Sequence, residues 1–259
     1  MGAELLMEIE SSAPTQETRI WGLGGAGFAI RSGEEVVYVD PWLVPPDPSR
    51  TNHRAYLPPF APGEVRKAEA ILSTHEHEDH CNVATLLGIT KSTGARFLGP
   101  ESSIRKAIAA GYPQSNALTL RPGDELRISP SFTVRAFRAS DPYEQWALMT
   151  LIMTPRGNIL HSGDTAYFEG FKEIGDRYKV DVALLNFGKQ IPSPEKPYYM
   201  NAEKLSLAAR DLRARVVVPM HWNLWVETRE DPHPIEAVLK SVSPSSRLAI
   251  VDGGERLEL

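Results

Sequence analysis

The chain alternates short apolar runs with polar turns, and most of the runs have strand character. Glu35-Val36-Val37-Tyr38-Val39-Asp40 is rich in β-branched residues and ends in Asp-Pro, which predicts a strand. Further strands are predicted over residues 70–74, 132–137, 147–154, 158–161, 180–185, 215–218 and 248–251. Helical periodicity falls between them. Leu205, Ala208, Ala209 and Leu212 share one face behind Asn201, whose side chain suits an N-cap. Ile104, Ala107 and Ile108 share a face over residues 102–110, with Gly111 as a stop. Another helix is expected to begin within 82–88. Strands early, then strands mixed with helices in each half, predict two sheets packed face to face with helices outside. There is no internal repeat or low-complexity segment.

Two loop signals modify this picture. Gly22-Leu23-Gly24-Gly25-Ala26-Gly27 satisfies G-x-G-x-x-G, the dinucleotide pattern, which counts only where it opens a helix inside a βαβ unit. Here Ser32-Gly33 and a strand follow too soon for a crossover helix. Residues 19–39 therefore read as a β-hairpin whose glycines allow close backbone approach. Residues 41–62 hold six further prolines (Pro45, Pro46, Pro48, Pro58, Pro59 and Pro62) with the aromatics Trp42, Tyr56 and Phe60. A long stiffened loop of this kind is either a wall of a pocket or a surface excursion.

Composition narrows the class. The 259 residues are 42% hydrophobic, enough for one large core, and are treated as one domain over 1–259 with an N-terminal extension over 1–18. A formal net charge of −5 gives no electrostatic reason to bind nucleic acid or an anionic membrane. No run has the length of a spanning helix, and the N-terminus lacks the basic start of a secretory signal. The lone Cys81 offers no disulfide, which fits a cytoplasmic setting. Cys81 itself reads as a small buried residue.

The chemistry is concentrated in His75-Glu76-His77-Glu78-Asp79-His80, an H-x-H-x-D-H run directly after an apolar strand. Three of the chain's seven histidines fall there. Imidazoles and a carboxylate converging after a strand end are donors for a divalent ion. Two later positions complete such a set. Asp164 follows a strand in Ser162-Gly163-Asp164, where glycine permits a sharp turn. His221 ends the apolar strand that runs into Val218-Pro219-Met220.

In that order, the His75–His80 run, Gly163-Asp164 and His221 resemble the metallo-β-lactamase superfamily. Ser73-Thr74-His75, His161-Ser162-Gly163-Asp164, residues 180–184, residues 217–221, Arg121-Pro122-Gly123-Asp124 and Asp231-Pro232 are similar to its L-ascorbate-6-phosphate lactonase branch. The resemblance runs from about Trp21 to Pro232. It implies a four-layer αββα sandwich of class α/β (α+β), with one or two divalent metal ions, Mn or Zn, at one edge of the sheets. It implies that His75 and His77 hold one metal position, that Asp79, His80 and His221 serve a second, and that Asp164 lies between them. Most of the superfamily adds a histidine between the His80 and His161 positions. This chain has none, and Asp141 is the candidate in its place, with a plain turn residue as the other reading. Asp40 and His161 are read as groups behind the ligands, His161 as a satisfied core histidine.

Two departures bear on substrate. The branch has paired histidines where this chain has His221-Trp222, and an arginine in the 189–200 loop where this chain offers Lys189, Lys196, Tyr198 and Tyr199. Lys189, Lys196, Tyr198, Trp222 and Asn223 are the substrate-binding candidates, the lysines as point charges for an anion. The implied activity is a metal-dependent hydrolase that opens a lactone or ester of a small anionic, sugar-acid-like substrate. A bound ion would acidify its water and polarise the carbonyl, and Asp79 would orient the nucleophile or pass the proton. The alternatives are a phosphodiesterase of the same superfamily and a non-catalytic metal-binding protein. The partner is then a small molecule, with homo-oligomerisation left open.

Overall fold

In the computed structural model, which describes residues 2–11, 17–49, 53–189 and 199–259, two seven-stranded sheets lie face to face. The chain opens with α1 (Gly2–Glu10). Strands β1 (Thr18–Gly24), β2 (Gly27–Ser32) and β3 (Glu35–Val39) then form an antiparallel meander. β4 (Ala70–Leu72), β5 (Arg96–Gly99) and β6 (Ala117–Thr119) continue this sheet in parallel, with α2 (Val83–Thr93) and α3 (Glu101–Ala109) as crossovers. The second sheet begins antiparallel with β7 (Glu125–Arg127), β8 (Thr133–Arg138), β9 (Leu148–Thr154) and β10 (Gly157–His161). It continues in parallel through β11 (Val182–Asn186), β12 (Val216–Met220) and β13 (Arg247–Leu248). The crossovers there are α4 (Gly170–Arg177), α5 (Ala202–Leu212) and α6 (Ile235–Val242), and β14 (Arg256–Glu258) returns to pair with β1.

Period-two alternation sorts the side chains into layers. Val37 and Val39 of β3 face Ile152, Val182, Leu184 and Val218 of the other sheet in one shared apolar layer. Val36 and Tyr38 point the other way, into a layer closed by Leu5 and Ile9 of α1, Leu86 and Ile89 of α2 and Ile104 of α3. On the far side, Leu205, Ala208, Ala209 and Leu212 of α5 join Phe171, Ile235 and Leu239 over Leu151, Ala183 and Val217. The result is the expected αββα order. Asn82 and Asn201 cap α2 and α5 by accepting from the backbone N–H of Thr85 and Lys204, at 2.8 and 2.9 Å.

Two expectations are corrected. Residues 19–39 make three strands rather than a hairpin, because Gly24 (φ 96°) and Gly25 (φ 61°) turn the chain inside that segment. The strand expected over 248–251 ends at Leu248, where the pairing with β12 stops. The N-terminal segment carries α1, whose Leu5, Leu6 and Ile9 are buried, and β1 begins at Thr18. No helix among the described residues is long and apolar enough to cross a membrane.

Candidate metal centre

The parallel strands of both sheets deliver their C-terminal ends to one edge, the usual place for a site in sheets of this kind. Asp40 follows β3, the 75–80 run follows β4, Asp164 follows β10 and His221 follows β12. Asp40 and His221 adopt left-handed backbone (φ 46° and 72°), and Gly163 does so just before Asp164 (φ 55°). Left-handed non-glycine residues carry strain and cluster at functional sites. At Gly163 an added Cβ would lie 2.8 Å from the Cβ of Thr74 and 2.9 Å from the Leu148 carbonyl oxygen, so glycine is required there for space as well.

Two donor clusters meet at this edge and share His80. His75, His80 and Asp164 form one; Asp79, His80 and His221 form the other; within each the donor atoms lie within 4.8 Å of one another. His80 Nε2 is 3.4 Å from Asp79 Oδ2 and 3.5 Å from Asp164 Oδ1. His221 Nε2 is 3.1 Å from Asp79 Oδ2 and 3.6 Å from Asp164 Oδ2. His77 is exposed and stands beside the first cluster, its Nδ1 3.0 Å from His75 Nε2. Cys81 is buried and lies outside both clusters.

Behind these donors sits a second layer of contacts. Asp40 accepts from the backbone N–H of Thr74 at 2.8 Å, from its hydroxyl at 2.7 Å and from His80 Nδ1 at 2.7 Å. That bond fixes the ring so that Nε2 faces the cage, the arrangement by which carboxylates orient metal-ligating histidines. His161 donates from Nε2 to the Ala26 carbonyl at 2.9 Å and accepts at Nδ1 from the Gly163 N–H at 3.1 Å. It is a satisfied neutral core histidine that holds the turn bearing Asp164. Burial depresses its pKa.

Electrostatics agree with a cation site. Burial alone would lower His80, but Asp164, Asp79 and Asp40 outweigh it and hold the imidazole well above the ordinary histidine value. Burial would raise Asp164 and Asp79. His221 and His80 overcome it at Asp164, and His80 with the His221 hydrogen bond at Asp79, so both carboxyls lie well below the usual range. His75 is pushed down to about 3, by burial first and then by the charge of His80, so it offers a lone pair at neutral pH. The donors fit a divalent ion: His80 Nε2 and Asp164 Oδ1 are buried, face each other across the cage and make no hydrogen bond among the described residues. Unpaired buried polar atoms are rare unless something else satisfies them.

Asp141 stands apart from both clusters. Its Oδ1 accepts from the N–H groups of Tyr143 and Glu144, at 2.7 and 3.2 Å, as a turn residue does. Its Oδ2 is buried without a partner among the described residues. Burial raises its pKa, Asp164 adds to the rise and His77 opposes it, which sets this carboxyl beside the cage.

The substrate candidates divide differently from expectation. Trp222 is buried in the outer apolar layer. Asn223 is buried too; it accepts from the Gly25 N–H and its amide donates to Asp252, which makes it a tether between loops. Lys189 is exposed. Lys196 and Tyr198 lie outside the described residues. Tyr199 does reach the site, its phenol oxygen 3.2 Å from His221 Nε2.

The glycine turn has a structural task that its pattern concealed. The Gly25 carbonyl accepts from His221 N–H at 2.9 Å, and the Ala26 carbonyl accepts from His161. The turn of one sheet thus holds two site histidines of the other. A Cβ at Gly24 would collide with the Tyr56 ring at 2.4 Å. Tyr56 belongs to the proline-rich loop, which packs against the glycine turn. Arg54 lies over the rings of Trp42 and Tyr56 at 4.6 and 4.7 Å, and Ala55 N–H donates to the Leu224 carbonyl just past His221.

A β-lactamase superfamily domain profile matches residues 36–222. The chain belongs to the metallo-β-lactamase superfamily. It is 30% identical over 239 residues to a UPF0173 metal-dependent hydrolase of Pyrobaculum arsenaticum, covering 91% of this chain and 97% of that one. It is 28% identical over 206 residues to a probable L-ascorbate-6-phosphate lactonase of Salmonella heidelberg, covering 70% of this chain and 56% of the lactonase. Among solved structures, a metallo hydrolase of Ignicoccus hospitalis superposes with a TM-score of 0.73 at 22% identity, over 94% of this chain and 98% of that chain, a likeness of fold. These matches set the chain among the metal-dependent hydrolases of the superfamily, and it spans about half the length of the lactonase relatives it matches.

Proposed function

We propose that this member of the superfamily opens a lactone or ester of a small anionic substrate, with one or two divalent ions, Mn or Zn, held by His75, His77, Asp79, His80, Asp164 and His221. The observation that carries the reading is the pair of donor clusters sharing His80 at one edge of the two sheets. The lactonase relatives support the choice of a carbonyl substrate. A bound ion would supply an acidified water and a polarised carbonyl.

The protein's own groups divide the remaining work. Asp79 is the more exposed of the two cage aspartates, its side chain 16% accessible against 2% for Asp164. It can therefore accept a proton from the attacking water and return it to the leaving alkoxide. Tyr199, on the rim beside His221, places an O–H donor where it can meet the substrate's carbonyl oxygen. Asp40 and Thr74 keep His80 in orientation throughout.

The test is elemental analysis of purified protein, then a screen of lactones, esters and phosphodiesters with Mn or Zn added. We expect metal to be bound and carbonyl substrates to be turned over. Asp79→Asn should lower kcat by about 10²–10⁴-fold with the fold intact. A folded protein that stays metal-free after reconstitution, or that cleaves phosphodiesters alone, overturns the reading.

A further inference from the structure

A cleft of about 730 Å³ lies between one face of α3 and the loop joining β8 to β9. Glu76, which stands between His75 and His77 in sequence, lines it together with Asp141. The centre itself does not need this cleft, and its walls carry an unusual set of side chains. Five large hydrophobic side chains are exposed among the described residues, and the two aromatic ones, Tyr143 and Trp146, stand three positions apart on this wall. Exposed rings grouped beside a reactive centre mark a binding surface more often than a chance of packing.

The charges on the walls differ in availability. Lys106 Nζ donates to the Glu76 carbonyl at 2.6 Å and so fastens α3 to the histidine loop. Arg105 is largely exposed and only loosely paired with Glu101, at 3.9 Å. Glu144 is buried and accepts from the Trp146 N–H at 2.9 Å, which fixes the loop that presents the indole. Ser102, 6% exposed, lines the cleft with its Oγ unpartnered among the described residues. Two exposed aromatic rings, one available guanidinium and one unpartnered hydroxyl, beside the carboxylates of Glu76, Asp141 and Glu144, describe a site for a ring that carries an anion.

We propose that this cleft binds the part of the substrate remote from the scissile bond, and that it selects an aromatic or other flat-ring group bearing a carboxylate or phosphate. The ring stacks on Trp146 and Tyr143, and the anion meets Arg105. This rests on the hydrolase reading of the centre and adds the residues that set specificity. Arg105, rather than Lys189, then reads the charge.

The test uses metal-loaded protein and three probes: phenylacetate, acetate and benzyl alcohol. Binding is followed by calorimetry and by the fluorescence of Trp146, the only tryptophan among the large exposed side chains. Phenylacetate should bind about tenfold or more tightly than either fragment, and should quench the fluorescence. Trp146→Ala should reduce phenylacetate to the level of acetate. Arg105→Gln should reduce it to the level of benzyl alcohol, while Lys189→Met changes nothing. On a lactone carrying an aryl carboxylate, Arg105→Gln should raise KM about ten- to a hundredfold and leave kcat near the parent value. Equal binding of acetate and phenylacetate overturns the proposal. So does phenylacetate binding that survives Trp146→Ala but vanishes in His77→Ala, since the ligand then sits on the metal. If phenylacetate binds as expected but no lactone or ester is turned over, the hydrolase reading fails and the subsite stands. Turnover without preference for the ring-bearing anion overturns the subsite alone.

Discussion

His80 is the residue on which the centre turns. It belongs to both donor clusters, and its two nitrogens face opposite carboxylate layers, Asp40 behind and Asp79 with Asp164 in front. Without metal those carboxylates hold the imidazole protonated well above the ordinary histidine range. A divalent ion must displace that proton, because the ligand is the neutral ring. The sign follows: uptake releases a proton, and apparent affinity rises as pH climbs through the raised pKa. Calorimetric titration of the apo protein with Zn in buffers of different ionisation heat should show about one proton released per ion near neutral pH. Heats independent of the buffer would mean that His80 is already neutral. Residue type made the His75–His80 run visible in the sequence, while Asp164 and His221 drew notice as strand-end residues in the order that the family resemblance gives. The burial of Trp222 and Asn223 was not legible, for a physical reason. Their neighbours in sequence are at the site, but a side chain's direction past a left-handed residue such as His221 is set by tertiary packing. Tyr199 had only its nearness to the candidate loop as a signal.

At the scale of elements, the site is made by how strands end. Three ligand-bearing or supporting strands finish in left-handed backbone, at Asp40, Gly163 and His221. Gly163→Ala tests this. The variant must accept φ 55° and also displace either Thr74, which bonds to Asp40, or the backbone at Leu148, whose N–H donates to the Thr74 carbonyl across the two sheets. We expect a loss of about 1–3 kcal/mol in stability, measured by denaturant unfolding, together with weaker metal retention. Gly63→Ala, where an added Cβ meets nothing within 4 Å, should leave both near the parent values. Parent-like stability and metal content in Gly163→Ala would show that the turn tolerates a side chain. The long strands and the capped helices α2 and α5 were legible because periodicity and caps are local. The three-residue strands β6 and β7 were not, for a run that short holds less than two periods of alternation, and β13 was legible only in part, its predicted run starting at Leu248. Helix α1 was missed because its apolar face, Leu5, Leu6 and Ile9, gains meaning only against the sheet that follows.

For the whole molecule, the centre is a bridge between two sheets. The first sheet supplies Asp40 and the His75–His80 run, and the second supplies Asp164 and His221. The sandwich itself was legible from the order of elements and from family resemblance. The docking of the glycine turn onto His161 and His221 was not, because the G-x-G-x-x-G pattern has no counterpart marker in the strands it touches. The bridge has a thermodynamic consequence. An ion that binds only the folded chain stabilises it by about 4 kcal/mol at a thousand times its Kd. For a domain of this size, that is a rise in Tm of roughly 8–16 °C. Because the ligands come from both sheets, the rise should belong to one cooperative transition rather than to one half of the protein. The variants separate the contributions. His77 is an exposed residue of the first sheet's own loop, whereas His221 is buried and approaches Asp79 of the opposite sheet. His77→Ala should therefore keep part of the metal-induced rise, and His221→Ala should lose most of it. Scanning calorimetry of apo and metal-loaded forms of the three proteins measures these increments. Two separate transitions in the loaded parent, or an undiminished rise in His221→Ala, would show that the ion is held by one sheet alone.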